Sequence, residues 1–164
     1  MSQSDAPRPH VDGISGTTPA AFAPPGPIHH IGIVVEDIAA AVAAYRALGF
    51  AGGEVTRVAE QNVDIAALRA GESWIEILAP VERDSPIGSY LQKRGPGFHH
   101  IAYLVDDLAG TLRALDADGV ELIDRAPRVG LHGWLVAFVH PRACAGVLSE
   151  LVERDSVAGH QRPA

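Results

Sequence analysis

The sequence is poor in cysteine, in basic charge and in long apolar runs. Cys144 is the single cysteine, so no disulfide can form within the chain, which suits a reducing, cytoplasmic location. The formal net charge of -7 argues against a nucleic-acid partner, because such proteins need a basic surface facing the phosphates. No apolar run approaches the ~20 residues that span a bilayer, so we expect no membrane partner either.

The sequence contains enough apolar residues to build a hydrophobic core. Hydrophobic residues make up 47% of the 164 residues, which fits one compact domain or two small modules that share a core. Residues 1–27 are rich in proline, alanine, serine and glycine. They lack a basic start followed by an apolar stretch, so they are interpreted as a flexible tail and not as a secretory signal. Residues 154–164 are interpreted as a second flexible tail.

The most informative feature is an internal repeat. Residues 29–38 read HHIGIVVEDI, and residues 99–108 read HHIAYLVDDL. The offset between the two is 70 residues (100 − 30), and it persists from Gly49 to Gly119. A fixed offset of this kind indicates a duplicated structural unit.

Each copy of the unit has the same order of local signals. A β-branched apolar run predicts a strand, an acidic pair then suits a helix N-terminus, and an amphipathic stretch predicts a helix over 38–48 and over 108–118. Gly49 and Gly119 follow these helices, where a left-handed cap is common. The remaining strands are predicted at 53–58, 63–69, 73–78, 121–124, 135–140 and 147–152.

These signals predict an α+β fold made of two β-α-β-β-β modules, at residues 28–79 and 98–153. Residues 80–97 form the linker, whose prolines and glycines favour turns around a short helix near 87–93. Two such modules can pair so that their strands form one curved mixed sheet around a cleft. The helices would then lie on the outside.

Side chains that can bind a metal recur at equivalent places in the two modules. His30 and His100 start the first strands, and Glu76 and Glu150 lie within apolar final strands. A carboxylate in an apolar strand is costly to bury unless a cation compensates its charge. Two imidazoles and two carboxylates suit one divalent ion, of which Co²⁺, Mn²⁺, Ni²⁺, Zn²⁺ and Mg²⁺ are the candidates.

Each of these histidines is doubled, as His29-His30 and as His99-His100. Successive strand residues point to opposite faces, so only one histidine of each pair is expected to face the cleft. Periodicity does not say which one. The other polar candidates, all interpreted as solvated or structural, are Glu54, Glu60, Gln61, His132 and His140.

The repeated unit with these histidines and glutamates resembles the vicinal oxygen chelate superfamily, which includes glyoxalase I. Within it, the chain resembles the methylmalonyl-CoA epimerases most. The matching stretches are HHIGIVVEDI at 29–38, GESWIEILAPVERDSPIGSYLQKRGPGFHHIAYLVDDL at 71–108 and HGWLVAFVHPRACAGVLSELVE at 132–153. The DSPI…LQKRG…HHIA part is the most specific, because general superfamily members share only the fold and the ligands.

The resemblance implies a site and an activity. It selects His30 and His100, the histidines directly before IG and IA, and it matches Glu76 and Glu150 to the remaining ligands. It implies interconversion of (R)- and (S)-methylmalonyl-CoA by removal and return of the C2 proton, with a metal-stabilised enolate. Glu76 and Glu150 are then the candidate acid and base. An acyl-CoA substrate and a homodimer are implied as well.

Two positions depart from the resemblance, and three alternative functions stay open. Ile65 stands where some family members carry a glutamate proposed as a base, and Asn62 replaces the usual glycine. The alternatives are an extradiol-type dioxygenase with two histidines and one carboxylate on iron, an enzyme for another acyl thioester or oxo acid, and a metal-free resistance protein. Glu76 as a fourth ligand speaks against the first, and retention of all four ligands speaks against the last.

Overall fold

The computed structural model describes residues 25–158, so most of the two proposed tails, 1–24 and 159–164, lies outside the described residues. The strands are β1 Ile28–Val34, β2 Ala51–Val58, β3 Val63–Ala70, β4 Ser73–Pro80, β5 Gly97–Val105, β6 Arg128–Val129, β7 Leu135–Val139 and β8 Leu148–Glu153. The α-helices are α1 Ile38–Ala47, α2 Pro86–Arg94, α3 Leu108–Ala117 and α4 Arg154–Ala158. Short 3-10 helices lie at Ala59–Gln61, Leu131–Gly133 and Pro141–Cys144. Among the described residues, no helix is both long and apolar enough to cross a bilayer.

All eight strands belong to one curled mixed sheet, in the order β2-β3-β4-β1-β5-β8-β7-β6. At its centre β1 and β5 run antiparallel, and each lies parallel to the last strand of its own module, β4 or β8. The two halves of the sheet therefore repeat the same internal order. The predicted α+β fold with one curved mixed sheet and outer helices is confirmed.

The ends of α1 and α3 show how the repeated sequence specifies the repeated helices. Asp37 and Asp107 are the N-caps, and each carboxylate accepts a hydrogen bond from the backbone N–H three residues later, at 3.0 Å and 2.7 Å. Each such cap stabilises a helix by about 1 kcal/mol. Gly49 and Gly119 follow the helices with φ of 94° and 75°, which side chains with a Cβ disfavour.

The sheet is covered on both faces, and the two faces have different roles. On the outer face, Val42 of α1 packs on Leu68 and Ile77, and Leu112 of α3 packs on Leu151. Burying an aliphatic side chain of this size contributes about 1.5–3 kcal/mol. On the inner face, α2 and the segment around residue 131 cover an apolar cluster, whose buried members are Val34, Val63, Ile65, Leu78 and Leu131.

The predicted strand at 121–124 is wrong, since it is reduced to one bridge between Leu122 and Val139. The carboxylate of Asp124 accepts the Phe138 N–H at 2.9 Å, and the Phe138 carbonyl accepts the N–H groups of Ile123 and Asp124. These bonds saturate the backbone of Phe138, so no regular ladder can form there. The edge strand β6 forms instead a few residues later.

The segment after β8 also differs from the prediction, because residues 154–158 were assigned to a flexible tail and form α4. The hydroxyl of Ser156 accepts the Leu135 N–H at 3.0 Å and donates to the Glu153 carbonyl at 2.6 Å. Val157 packs against the cluster that contains Trp134. Five residues give no helical periodicity to detect, so these tertiary contacts, and not a local pattern, explain the helix.

Candidate metal centre

The four side chains that the repeat and the family resemblance together selected converge on the inner face of the sheet. His30 lies on β1, Glu76 on β4, His100 on β5 and Glu150 on β8, which are four adjacent strands. All four are buried, with 1% to 5% of each residue exposed. Because parallel pairing aligns β4 with β1 and β8 with β5, each carboxylate lies beside the histidine strand of its own module.

Three of the four groups form a tight triangle. The Nε2 atoms of His30 and His100 are 2.9 Å apart, and Oε2 of Glu150 lies 2.9 Å from the first and 3.0 Å from the second. Oε2 of Glu76 lies at the edge of this triangle, 3.5 Å from the His30 Nε2. Adjacent ligands on an octahedral ion with bonds of ~2.1 Å lie ~3.0 Å apart, so the triangle matches one face of such a site.

The charges within the cluster show that it suits a cation. Burial lowers the pKa of His30, but the carboxylates of Glu76 and Glu150 outweigh burial and raise it to about 9. Burial raises the pKa of Glu150, but His30 and His100 outweigh burial and hold it well below its usual range. Without a metal, the cluster therefore retains a proton that balances a buried carboxylate. A divalent ion can replace that proton.

The expectation that only one histidine of each pair faces the cleft holds for the first pair, of which only His30 lines the cleft, and is wrong for the second, of which both His99 and His100 line it. The register between β1 and β5 shifts at His29 and again at His99, so each strand carries a β-bulge at that position. A bulge breaks the alternation of side chains and turns two successive residues toward one side. As a result Nδ1 of His29 lies 2.9 Å from Nδ1 of His30, and the same distance separates His99 from His100.

The two additional histidines have matching surroundings. The His29 ring stands edge-on to Trp134 with centroids 4.5 Å apart, and the His99 ring stands edge-on to Tyr90 at 4.6 Å. Burial, and next the neighbouring histidine, lower the pKa of both His29 and His99 to about 4. Both rings are therefore neutral at neutral pH.

The cluster opens into a cleft of about 570 Å³, and its lining includes residues that the sequence did not single out. Arg128 is the one lysine or arginine among the described lining residues. Its Nε donates to Asp124 at 3.1 Å, and its guanidinium lies 5.0 Å from the Phe138 ring. That ring lies 5.5 Å from the His100 ring. An isolated arginine in an irregular segment has no periodic signal, so sequence patterns could not select it.

The weaker candidates lie outside the four-residue cluster. Glu60 is exposed and lines the cleft, so its assignment to a solvated turn was incomplete. His132 has a left-handed φ of 54° and stands edge-on to Trp134 at 5.3 Å. His140 caps a 3-10 helix by accepting the Arg142 N–H. Ile65 lines the cleft and cannot transfer a proton.

Comparison with known protein families agrees with the fold and with the geometry of the cluster. A family model described as Glyoxalase/Bleomycin resistance protein/Dioxygenase superfamily matches residues 29–138. The chain belongs to this superfamily. The vicinal oxygen chelate resemblance seen in the repeat is therefore confirmed.

Similar proteins within the superfamily include epimerases. Human mitochondrial methylmalonyl-CoA epimerase is 35% identical over 128 residues, which cover 77% of this chain and 73% of that protein. The uncharacterized Bacillus subtilis protein YqjC is 43% identical, over 77% of this chain and 91% of its own. A solved methylmalonyl-CoA epimerase in complex with methylmalonyl-CoA and NH4+ aligns with a TM-score of 0.75 and 36% identity, over 79% of this chain and 95% of that one. The prediction of an isomerase is confirmed.

Proposed function

We propose that this chain is a metal-dependent epimerase that interconverts (R)- and (S)-methylmalonyl-CoA. The observation that carries the proposal is the buried cluster of His30, Glu76, His100 and Glu150 at the base of a cleft, in a chain similar to epimerases. We propose these four residues as the ligands of one divalent cation. A mixed set of imidazole nitrogen and carboxylate oxygen suits Co²⁺, Mn²⁺, Ni²⁺, Zn²⁺ or Mg²⁺.

The reaction requires stabilisation of charge and movement of a proton. A bound divalent cation supplies Lewis-acid stabilisation of the negative charge that develops on the thioester oxygen as the C2 proton leaves. We propose that Glu76 and Glu150 are the acid and base, one removing the proton and the other returning it to the opposite face. Among the described residues Glu76 has only the 3.5 Å contact with His30, so it is the carboxylate less tightly held within the cluster.

The cleft offers a mixed environment for the substrate. Apolar side chains such as Leu78, Leu131 and Val136 line it and exclude water from the reacting atoms. Arg128 lies one aromatic ring away from His100, with Phe138 between them. We propose that its guanidinium binds an anionic group of the acyl-CoA, since arginine pairs well with carboxylate and phosphate.

Deuterium exchange at C2 tests this function directly. Methylmalonyl-CoA would be incubated in D2O with the chain loaded with Co²⁺ and, separately, with EDTA, and followed by NMR. We expect metal-dependent incorporation, lost by 10²-fold or more in Glu150→Gln and in Glu76→Gln, because a general acid or base contributes about 10²–10⁴-fold. Glu72→Gln, in the exposed turn after β3, is the matched control and should keep the wild-type rate. No incorporation with any divalent ion by metal-loaded protein would reject the epimerase.

The triangle also favours a second candidate. His30, His100 and Glu150 by themselves form a two-histidine, one-carboxylate group, which is the ligand set of non-haem iron oxygenases. An extradiol-type dioxygenase would need Fe²⁺ and would consume oxygen with a catechol. Oxygen uptake by the Fe²⁺-loaded chain, together with no C2 exchange, would select this alternative.

A further inference from the structure

We propose that His29 and His99 are positioning residues of the metal centre. Each accepts a hydrogen bond from the Nδ1–H of the histidine that follows it and so keeps the Nε2 lone pair of that histidine directed at the cation. The inference rests on the proposed metal site and assigns a role to two residues outside the four ligands.

The distances determine where the protons lie. A neutral imidazole carries one N–H, so a histidine that binds a metal through Nε2 must hold its proton on Nδ1. In both modules that Nδ1 has an acceptor 2.9 Å away, the Nδ1 of the preceding histidine. The Nε2 atoms of His30 and His100 point in the other direction, to each other and to Glu150. The two contacts of the His30 ring, and those of the His100 ring, therefore fit the tautomer that carries its proton on Nδ1.

The strand geometry shows that the arrangement is specific. Without the bulges at His29 and His99, both rings would lie on the outer face, away from the ligands. The same local irregularity occurs in both modules, at positions 70 residues apart. Ligating histidines commonly have an acceptor for their second nitrogen, which fixes the orientation of the ring. In this chain the acceptor is the imidazole of His29 for His30 and the imidazole of His99 for His100.

The other nitrogen of His29 supports the assignment. If Nδ1 of His29 accepts, its proton must lie on Nε2. Among the described residues that Nε2 is buried without a hydrogen-bond partner, and the ring stands edge-on to Trp134. Nε1 of Trp134 is likewise buried without a partner, so a contact between an N–H group and a ring face fits this perpendicular pair.

Metal affinity separates positioning from packing. Chelator competition with Zn²⁺ would be measured for the wild type and for His29→Phe, His29→Asn, His99→Phe and His99→Asn. Phenylalanine keeps a ring against Trp134 or Tyr90 but removes the acceptor, so we expect affinity to fall about 10–100-fold. The Oδ1 of asparagine takes the place of Nδ1, so the asparagine variants should recover most of the affinity. His132→Asn is the control, since its ring also contacts Trp134 and asparagine tolerates its backbone conformation.

Nitrogen NMR provides a readout that does not depend on activity. In the Zn²⁺-loaded chain with ¹⁵N-labelled histidine, we expect protonated Nδ1 on His30 and His100, and a scalar coupling between the two Nδ1 atoms of each pair across the shared proton. Absence of the coupling between the paired Nδ1 atoms, or equal metal affinity in all the variants, would overturn the inference and leave the metal site standing. Failure of the wild-type chain to bind any divalent ion would reject the metal centre itself, and the positioning role with it.

Discussion

Arg128 carries the one guanidinium among the cleft-lining residues in the described part of the chain, and its surroundings hold it in place. Asp124 accepts its Nε–H, and the Phe138 ring lies against it. An arginine fixed in this way loses little further freedom when it binds an anion, so its contribution to substrate affinity should be large.

We predict that Arg128→Gln raises KM for methylmalonyl-CoA about tenfold or more and changes kcat much less. A charge-assisted hydrogen bond contributes about 1.5–3 kcal/mol, and about 1.4 kcal/mol corresponds to a tenfold change in affinity. Arg113→Gln, on the exposed side of α3, is the matched control. A thioester truncated before the coenzyme A phosphates locates the contact. If the increase in KM persists, Arg128 binds the acyl carboxylate; if it disappears, Arg128 binds a phosphate. An unchanged KM with both substrates would remove Arg128 from the substrate site.

At the scale of strands, the close approach of β1 and β5 determines which residues fit. Gly32 lies opposite His100 in the register, and a Cβ built on Gly32 would overlap the His100 ring. At the equivalent place in the second module, Ala102 lies opposite His30 and its methyl group is accommodated. The two modules are therefore not interchangeable at this crossing, although their sequences repeat.

We predict that Gly32→Ala lowers both stability and metal affinity, because the His100 ring must move to make room. Overpacking of this kind costs about 1–3 kcal/mol. Ala102→Gly is the reverse change at the equivalent position and should cost about 1 kcal/mol through backbone freedom, with metal affinity retained. Urea unfolding of the metal-free variants and chelator competition measure the two effects. Wild-type affinity in Gly32→Ala would show that the ring is not constrained by this contact.

At the scale of the whole molecule, the histidines of the cluster couple stability to pH and to metal. The folded-state pKa of His30, at about 9, is above the ordinary 6.5, so its stabilisation is complete below pH 6.5 and is lost as pH rises to 9. The pKa values of His29 and His99 are lowered to about 4, so their neutral burial costs stability as pH falls from 6.5 to 4. The metal-free chain should thus be most stable near pH 6.5.

We predict that a bound cation reverses the pH dependence of stability above pH 6.5. Metal binding displaces the proton of His30, so stability of the loaded chain should rise between pH 6.5 and 9 as that competition weakens. In the metal-free chain it should fall over the same range, by up to about 3 kcal/mol. Urea unfolding across this range, with stoichiometric Zn²⁺ and with EDTA, measures both slopes. Equal slopes in the two conditions would contradict the assignment of His30 as a ligand.

The homodimer and the cytoplasmic location stay predictions. A hollow of about 610 Å³ with mostly apolar walls lies beside α3, on the side opposite the metal cluster, and Phe98 and Val147 at its border are partly exposed. This face has no role in the proposed chemistry.

The sequence by itself determined the features that depend on neighbouring residues. The 70-residue repeat specified two equivalent modules, and the acidic caps and glycines specified the helix ends. The recurring histidine pairs with Glu76 and Glu150 specified a candidate site, and the family resemblance selected His30 and His100 within it. These signals are readable because strand runs, caps and duplicated positions are local or self-repeating.

Only the tertiary structure decided the features that depend on contacts across the sheet. The bulges that turn His29 and His99 toward the ligands arise from the pairing of β1 with β5, and strand alternation alone predicts the opposite. The side chain of Asp124, which takes the place of a ladder partner, and the approach of Arg128 to the cleft depend likewise on residues distant in sequence. Local patterns do not encode register, because register is set by the total packing of two strands and not by either strand alone.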